Sequence, residues 1–499
     1  MKIHSIIAGA LALALCLTAG SSISHSELYR YNYENVLGTS LELKILAASE
    51  KDADVAQAAA LSEIEREAKI LSGYDAGSEF SRWNRTLGLA VPVAPELAEV
   101  LGLFDRWRRQ TDGALDASAE TVTRAWKAAA KQNRVPTAAE LAAAVALVKQ
   151  PHWSLDATNG TATRLSSAPL VLNSLAKSYI VEKAAGAALQ AGQVTGVVVN
   201  IGGDLVIRGR MMERVDIADP RSDAENAAPI ESLLLTNRAV ATSGNYRRGV
   251  AIGGRHYSHI VDPRTGQPAE QIVSSTVVAP NAADAGALAT AFSVMRVSET
   301  RKLAAAAPGV EFLLVAANGD HFQSRGWKAL AIPGVRPFAP AAAPTAWDAS
   351  MELTIRLELA QINDARARRP YLAAWIEDKD KFPVKTLALW YQKPRWLPDL
   401  KAWSKDDRLR AMAEGSDITG SVSSATRPAG KYTLKWDGKD NAGKLMKPGK
   451  YRVLIEAARE HGTYQLMQEE IDFSGAPKQV ELPGGTEIAS ASLDYHKAK

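Results

Sequence analysis

Five short segments of this chain set glycine, Ser/Thr, Asp and Lys between apolar flanks. In Asn173-Ser174-Leu175-Ala176-Lys177-Ser178-Tyr179 the spacing predicts a helix N-terminus with Lys177 in its first turn. Free backbone N–H groups beside an ammonium make a seat for a phosphate. The same pattern also describes an ordinary capped helix whose lysine faces solvent. Asn200-Ile201-Gly202-Gly203-Asp204 either lets the backbone approach a ligand closely or makes a plain tight turn. In Tyr257-Ser258-His259-Ile260-Val261-Asp262-Pro263-Arg264-Thr265-Gly266, His259 is either a polar ligand contact or a structural turn histidine. Asp262-Pro263 and Thr265-Gly266 are turn formers. Leu71 to Asn84, Thr111 to Asp116, Thr242 to Arg247 and Asp284 to Thr290 complete the set. Taken singly, none of these segments specifies a reaction.

The elements that position them follow from hydrophobic period. Residues 27–48 alternate apolar and polar positions, which predicts a strand or hairpin around Gly38. Residues 52–71, 95–110 and 137–149 have helical spacing. A further helix spans 173–191, capped by Asn173 or Ser174. Val197 to Ile201 reads as a short apolar strand, and a last helix covers 283–297. Helices and strands mix without a strict βαβ rhythm, so residues 27–332 are expected to form an α+β domain. Residues 333–349 are rich in Ala and Pro and read as a linker. Beyond them, Leu353–Leu357, Tyr371–Ile376, Thr386–Tyr391, Tyr432–Trp436 and Tyr451–Ile455 predict strands separated by turn clusters such as Asp437-Gly438 and Pro448-Gly449. Residues 350–499 are therefore expected to be an antiparallel all-β, sandwich-like domain.

Composition bounds the alternatives. The 499 residues carry 59 Lys+Arg against 55 Asp+Glu, and this +4 balance gives no case for nucleic-acid binding. A hydrophobic share of 46% excludes a largely disordered chain. The single cysteine, Cys16, excludes a disulfide framework and cysteine-ligated metal sites. It lies in the apolar run Ile6 to Ala19, which follows Lys2 and reads as a secretory leader over residues 1–24. Lipidation of Cys16 would call for a small residue before it, where Leu15 stands. The expected location is exported, in the periplasm, either soluble or associated with the inner membrane.

In combination and in this order, the segments resemble the ApbE family, exported FAD:protein FMN transferases. Tyr257 to Gly266 carries the resemblance most specifically. Gly113-Ala114-Leu115-Asp116, Gly202-Gly203-Asp204 and Ser243-Gly244-Asn245-Tyr246-Arg247 follow. The resemblance implies a flavin-transferase-like fold. It implies FAD as substrate, Mg2+ as cofactor, and an exported or membrane-bound flavoprotein acceptor whose Ser or Thr receives FMN. Carried onto this chain, it implies FAD contacts at Leu37, Tyr74, Ala114, Leu115, Asp116, Lys177, His259 and Ile260. It implies metal ligands at Ser174, Asp284 and Thr290, and catalytic roles for Lys177 and for Asp284 as base.

The metal site departs from the family pattern, which has an Asp four residues before Thr. Aligned on Thr290, that position is Gly286. Asp284 lies six residues before Thr290, off that helix face, and can substitute only as a cap placed before the helix. Two alternatives therefore stand beside an active transferase. One is a FAD-binding relative with little transfer activity; the other is a cell-envelope interaction protein acting through the β domain. The second domain resembles an exported domain of unknown function, and its Ser423 to Thr426 run resembles a flavin-acceptor pattern.

Overall fold

The computed structural model describes residues 26–245, 248–332, 347–348, 350–362, 368–415, 417–460 and 462–498. The leader read at 1–24, Cys16, residues 333–346 of the linker, and Tyr246 and Arg247 lie outside them.

β1 (Glu27–Val36) and β2 (Thr39–Ala47) form the expected hairpin. Its two-residue turn places Leu37 at φ 51° and Gly38 at φ 78°, the left-handed geometry whose twist matches a hairpin. Gly38 adopts it freely, whereas Leu37 is held in a conformation that costs an L-residue about 1–2 kcal/mol. Among the described residues, these strands begin an eight-stranded sheet. It continues through β3 (Val194–Ile201), β4 (Asp204–Gly209), β5 (Ala239–Gly244), β6 (Ile272–Ala279), β7 (Glu311–Ala316) and β8 (His321–Gln323), in that spatial order. Every neighbouring pair is antiparallel.

The unbroken apolar run of β3 has a simple cause. Successive side chains point to opposite faces, and both faces are covered. Val197, Val199 and Ile201 enter the main core, while Val198 enters a second one with Leu233 and Trp327. The main core lies under α1 (Glu50–Leu71), α2 (Pro95–Gln110), α3 (Asn173–Gln190) and α4 (Ala282–Phe292). α3 is packed between α1 and α4. The helix expected over 283–297 ends at Phe292. Arg296 turns extended there, its N–H bonds Glu299, and a separate helix begins at Val297.

The C-terminal region is β-rich, as expected. β9 (Met351–Leu359), β10 (Tyr371–Glu377) and β11 (Pro383–Trp390) come first. α5 (Lys401–Glu414) interrupts them, a helix the sequence pattern did not announce. Its first turn is satisfied tertiarily: the N–H groups of Ala402 and Trp403 donate to Glu456 at 2.9 and 2.8 Å. β12 (Gly430–Trp436), β13 (Lys450–Ala458), β14 (Tyr464–Asp472), β15 (Lys478–Leu482) and β16 (Ile488–Lys497) follow. One sheet has the order β12-β9-β16-β15. The other is β11-β10-β13-β14, with the short strand Ser423–Ser424 added parallel to β11. Ile355 and Leu493 from the first sheet and Ile376 and Ile455 from the second share one core, which makes a sandwich.

Trp347, inside the segment read as linker, belongs to that core. It is 2% exposed, with its ring 4.8 Å from Trp436 and 4.9 Å from Phe473. A side chain on Gly438 would run into its indole. Thr426, in the run read as a flavin-acceptor pattern, is 2% exposed and closed to an incoming flavin. The two domains meet through polar groups. Arg369 pairs with Glu34 at 2.8 Å, Asn32 N–H donates to the Gln392 carbonyl, and Asn226 bonds the β12 backbone at Lys435.

Candidate functional site

The Gly202–Gly203 turn joins β3 to β4 with φ 56° and 93°. Gly202 is required sterically as well, because a Cβ there would lie 2.6 Å from Thr39 Cγ2. Its N–H donates to the Ser40 carbonyl at 3.0 Å. The β1–β2 turn, carrying Leu37, is thereby clasped against the glycine turn.

Asp204 opens β4 and turns its carboxylate onto α3. Oδ2 accepts from Ser178 Oγ at 2.6 Å, and Oδ1 lies 3.4 Å from Lys177 Nζ. Lys177 Nζ also donates to the Gly202 carbonyl at 3.4 Å, and its side chain keeps 30% of its surface open. Burial pushes the Asp204 carboxyl above the ordinary range; the Lys177 charge and the Ser178 hydrogen bond pull it back.

α3 starts at Leu172 without any side-chain cap, contrary to the capping expected from Asn173 or Ser174. The Asn173 amide instead donates to Tyr74 Oη at 2.6 Å. Tyr74 is 86% exposed, so an aromatic face stands free beside an uncapped helix start. The Val171 N–H donates to the Ala117 carbonyl at 2.8 Å, which ties the loop after Gly113 to the same place. Ala114, Leu115 and Asp116 are buried. Asp116 Oδ2 is 2.6 Å from Arg108 Nε, and Oδ1 accepts from Ser118 N–H at 2.8 Å. These side chains pack the loop. A cleft of ≈ 760 Å³ runs over it, lined by Arg108, Arg109, Gly113, Lys149 and Arg264 among others. That volume lies in the range of small-molecule sites. His259 is exposed and bonds the Arg248 carbonyl through Nδ1 at 3.1 Å; Ile260 beside it is buried. Neither is brought to Lys177 by a hydrogen bond.

Of the residues proposed for a metal, Asp284 does not share the helix face of Thr290. Asn281, not Asp284, caps α4: its side chain accepts from the Asp284 N–H. Asp284 sits in the first helical turn, so the condition for its substitution is unmet. Its carboxylate is held by Arg106, by Trp107 Nε1 at 2.9 Å and by Asn281 Nδ2 at 2.7 Å. Two positions from Gly286, it is turned about 200° round the helix from the Gly286 and Thr290 face. Gly286 itself is pressed onto α3. A Cβ there would overlap Ser178 Oγ, lie 2.9 Å from Ser178 Cβ and 3.3 Å from the Ser174 carbonyl oxygen. No carboxylate fits at that position. Among the described residues, no group of three or more His, Cys, Asp or Glu side chains is placed to hold a metal ion. Magnesium prefers oxygen ligands that include one or two carboxylates. Here two carboxylates lie along the seam and both are occupied: Asp204 faces the Lys177 ammonium, and Glu182 of α3 holds Arg208 and accepts from the Ala282 N–H of α4. The donor set does not fit the ion.

Three residues that shape this place carry no site role in the sequence reading: Asp204 and Ser178, which stand in its motifs, and Arg106. Asp204 carried a readable signal. A carboxylate that opens a strand running Leu205-Val206-Ile207 is bound for the interior and needs a cationic partner, and Lys177 was the cation at hand.

An antiparallel sheet backed by helices, with a lysine near an uncapped helix start beside a glycine turn, defines an α+β domain. The family model described as ApbE family matches residues 37–314, and the chain belongs to that family. A second model, described as Predicted periplasmic protein (DUF2271), matches residues 352–490. Among curated relatives, the FAD:protein FMN transferase of Haemophilus influenzae is 28% identical over 309 residues, spanning 58% of this chain and 87% of that protein. The Vibrio cholerae protein of the same name is 30% identical over 275 residues, 54% of this chain and 80% of its own. Among solved structures, an ApbE protein of Thermotoga maritima aligns with TM-score 0.54 at 28% identity, covering 61% of this chain and all of that one. The flavinyl transferase ApbE of Pseudomonas stutzeri shares the fold at TM-score 0.51 and 23% identity, over 62% of this chain and 99% of its own. Among the described residues, no helix is long and apolar enough to cross a membrane.

Proposed function

We propose that this chain is an exported FAD:protein FMN transferase. The observation that carries the reading is the convergence of Lys177, the uncapped start of α3, the Gly202–Gly203 turn and the open Tyr74 ring. The α3 N–H groups and the ammonium receive the FAD pyrophosphate. Tyr74 and Leu37 offer apolar contact to the isoalloxazine. The buried loop at Ala114–Asp116 and the segment His259–Ile260 supply the more distant walls for the dinucleotide.

In the reaction, the hydroxyl oxygen of an acceptor Ser or Thr attacks the FMN-side phosphorus. A new P–O ester bond forms and the pyrophosphate P–O bond breaks in line. AMP leaves with the bridging oxygen, and its phosphate or water takes the hydroxyl proton. Phosphoryl transfer depends chiefly on positioning and charge stabilisation. Lys177 and the helix start supply the charge. Asp204 holds the ammonium in place, and Asp284, bound to Arg106 and Trp107, is not available as a base.

The acceptor is an exported or membrane-bound flavoprotein, and the leader at 1–24 delivers the chain to the periplasm. The C-terminal sandwich, docked through Glu34 and Asn226, is the part suited to bind a protein partner. Full-length protein with FAD and an FMN-accepting domain should yield a covalent flavin adduct by intact mass. A second reading, FAD binding without transfer, is favoured by the absent carboxylate at Gly286. An unmodified acceptor alongside tight FAD binding would select it.

A further inference from the structure

We infer that this chain has given up the divalent cation of its cleft and uses the Lys177 ammonium, fixed by Asp204, as its resident positive charge. The inference rests on the FAD reading above. Three observations carry it. First, the α3–α4 seam is closed at Gly286 by Ser178, so no ligand carboxylate can enter from α4. Second, the nearby α4 acid, Asp284, is consumed by Arg106, Trp107 and Asn281. Third, both oxygens of Asp204 are engaged, one by the Ser178 hydroxyl and one by Lys177 Nζ. A dication brought to Asp204 would meet an ammonium 3.4 Å from the same carboxylate. Like charges at that range repel strongly in a half-buried site. Lys177 keeps 30% of its side-chain surface open, and the uncapped N–H groups of Asn173 and Ser174 stand one turn away. Ammonium and helix start together offer the positive field that a pyrophosphate requires.

The test uses the full chain, stripped with EDTA and titrated with Mn2+ under electron paramagnetic resonance, with and without FAD. No saturable Mn2+ site should appear below the millimolar range. FAD affinity, read from flavin fluorescence, should agree within about twofold between EDTA and MgCl2, and should fall about tenfold or more in Lys177→Met. Lys177→Arg keeps the charge and should hold affinity within about threefold, which separates charge loss from misfolding. A stoichiometric micromolar Mn2+ site, or FAD binding that requires MgCl2, overturns the inference and leaves the transferase reading standing. Absence of FAD binding under both conditions removes both.

Discussion

Gly286→Ala reverses the sign expected of a helix. At an exposed helical position the change stabilises by about 1 kcal/mol, because alanine loses less backbone freedom. Gly286 is buried in α4, and the added methyl would overlap Ser178 Oγ and sit 2.9 Å from its Cβ. Ser178 cannot swing aside. It is 1% exposed, inside α3, with its hydroxyl bonded to Asp204 at 2.6 Å. The helices must separate, and such overpacking costs about 1–3 kcal/mol. The net effect should be a change of roughly 0–2 kcal/mol in the destabilising direction once propensity is subtracted. In a Ser178→Gly background the obstacle is gone, and Gly286→Ala should become neutral or stabilising. The coupling between the two sites should then equal the relieved overpacking, roughly 1–3 kcal/mol, above the ~0.5 kcal/mol of independent sites. Urea denaturation of the four proteins, followed by far-UV circular dichroism, measures it. A stabilising Gly286→Ala in the wild-type background, or additivity of the two changes, would refute the closed seam and with it the exclusion of a ligand carboxylate.

Tyr74→Ala should leave stability within about 0.5 kcal/mol, since the ring is 86% exposed, yet weaken FAD binding in a fluorescence titration. Unchanged affinity would remove Tyr74 from the flavin site. Glu67 is buried in α1, and burial pushes its carboxyl up to about 7, opposed by Arg66 and Lys183 and reinforced by Glu96 and Glu63. Its folded value lies above its unfolded one, so its contribution is full at low pH and is lost as pH rises from about 4.5 through 7. Glu67→Gln should flatten the stability difference between those limits by about 2–3 kcal/mol; parallel denaturation profiles would contradict the assignment. Trp347→Ala should cost the C-terminal domain about 3–5 kcal/mol and split thermal unfolding into two steps, while FAD binding persists. A single unshifted transition by calorimetry would show that Trp347 is not a core residue.

Local pattern made much of this chain readable. The 27–48 alternation gave the hairpin, and helical spacing gave α1, α2 and α3 within a residue or two, because amphipathic period is a property of neighbours in sequence. The turn at Gly202–Gly203 was legible for the same reason. α5 was not. Its stretch is polar, and its first turn is satisfied by Glu456 from a strand that comes more than 40 residues later. Trp347 was hidden by the Ala/Pro composition around it, since burial of one indole leaves no periodic trace.

Residue types and spacing alone determined that a lysine stands at a helix start, that a Gly-Gly-Asp turn follows the next strand, and that Gly occupies position 286. What those facts mean was decided by distances across the sheet. Asp204 was a turn residue until tertiary packing laid it against Lys177 and Ser178. Asp284 was a candidate ligand until α2 supplied Arg106 and Trp107 to hold it. Gly286 read as a missing carboxylate; packing of α4 on α3 shows a position with no room for one. Charge partners and steric exclusion belong to atoms brought together from distant parts of the chain, and only the folded structure makes them neighbours.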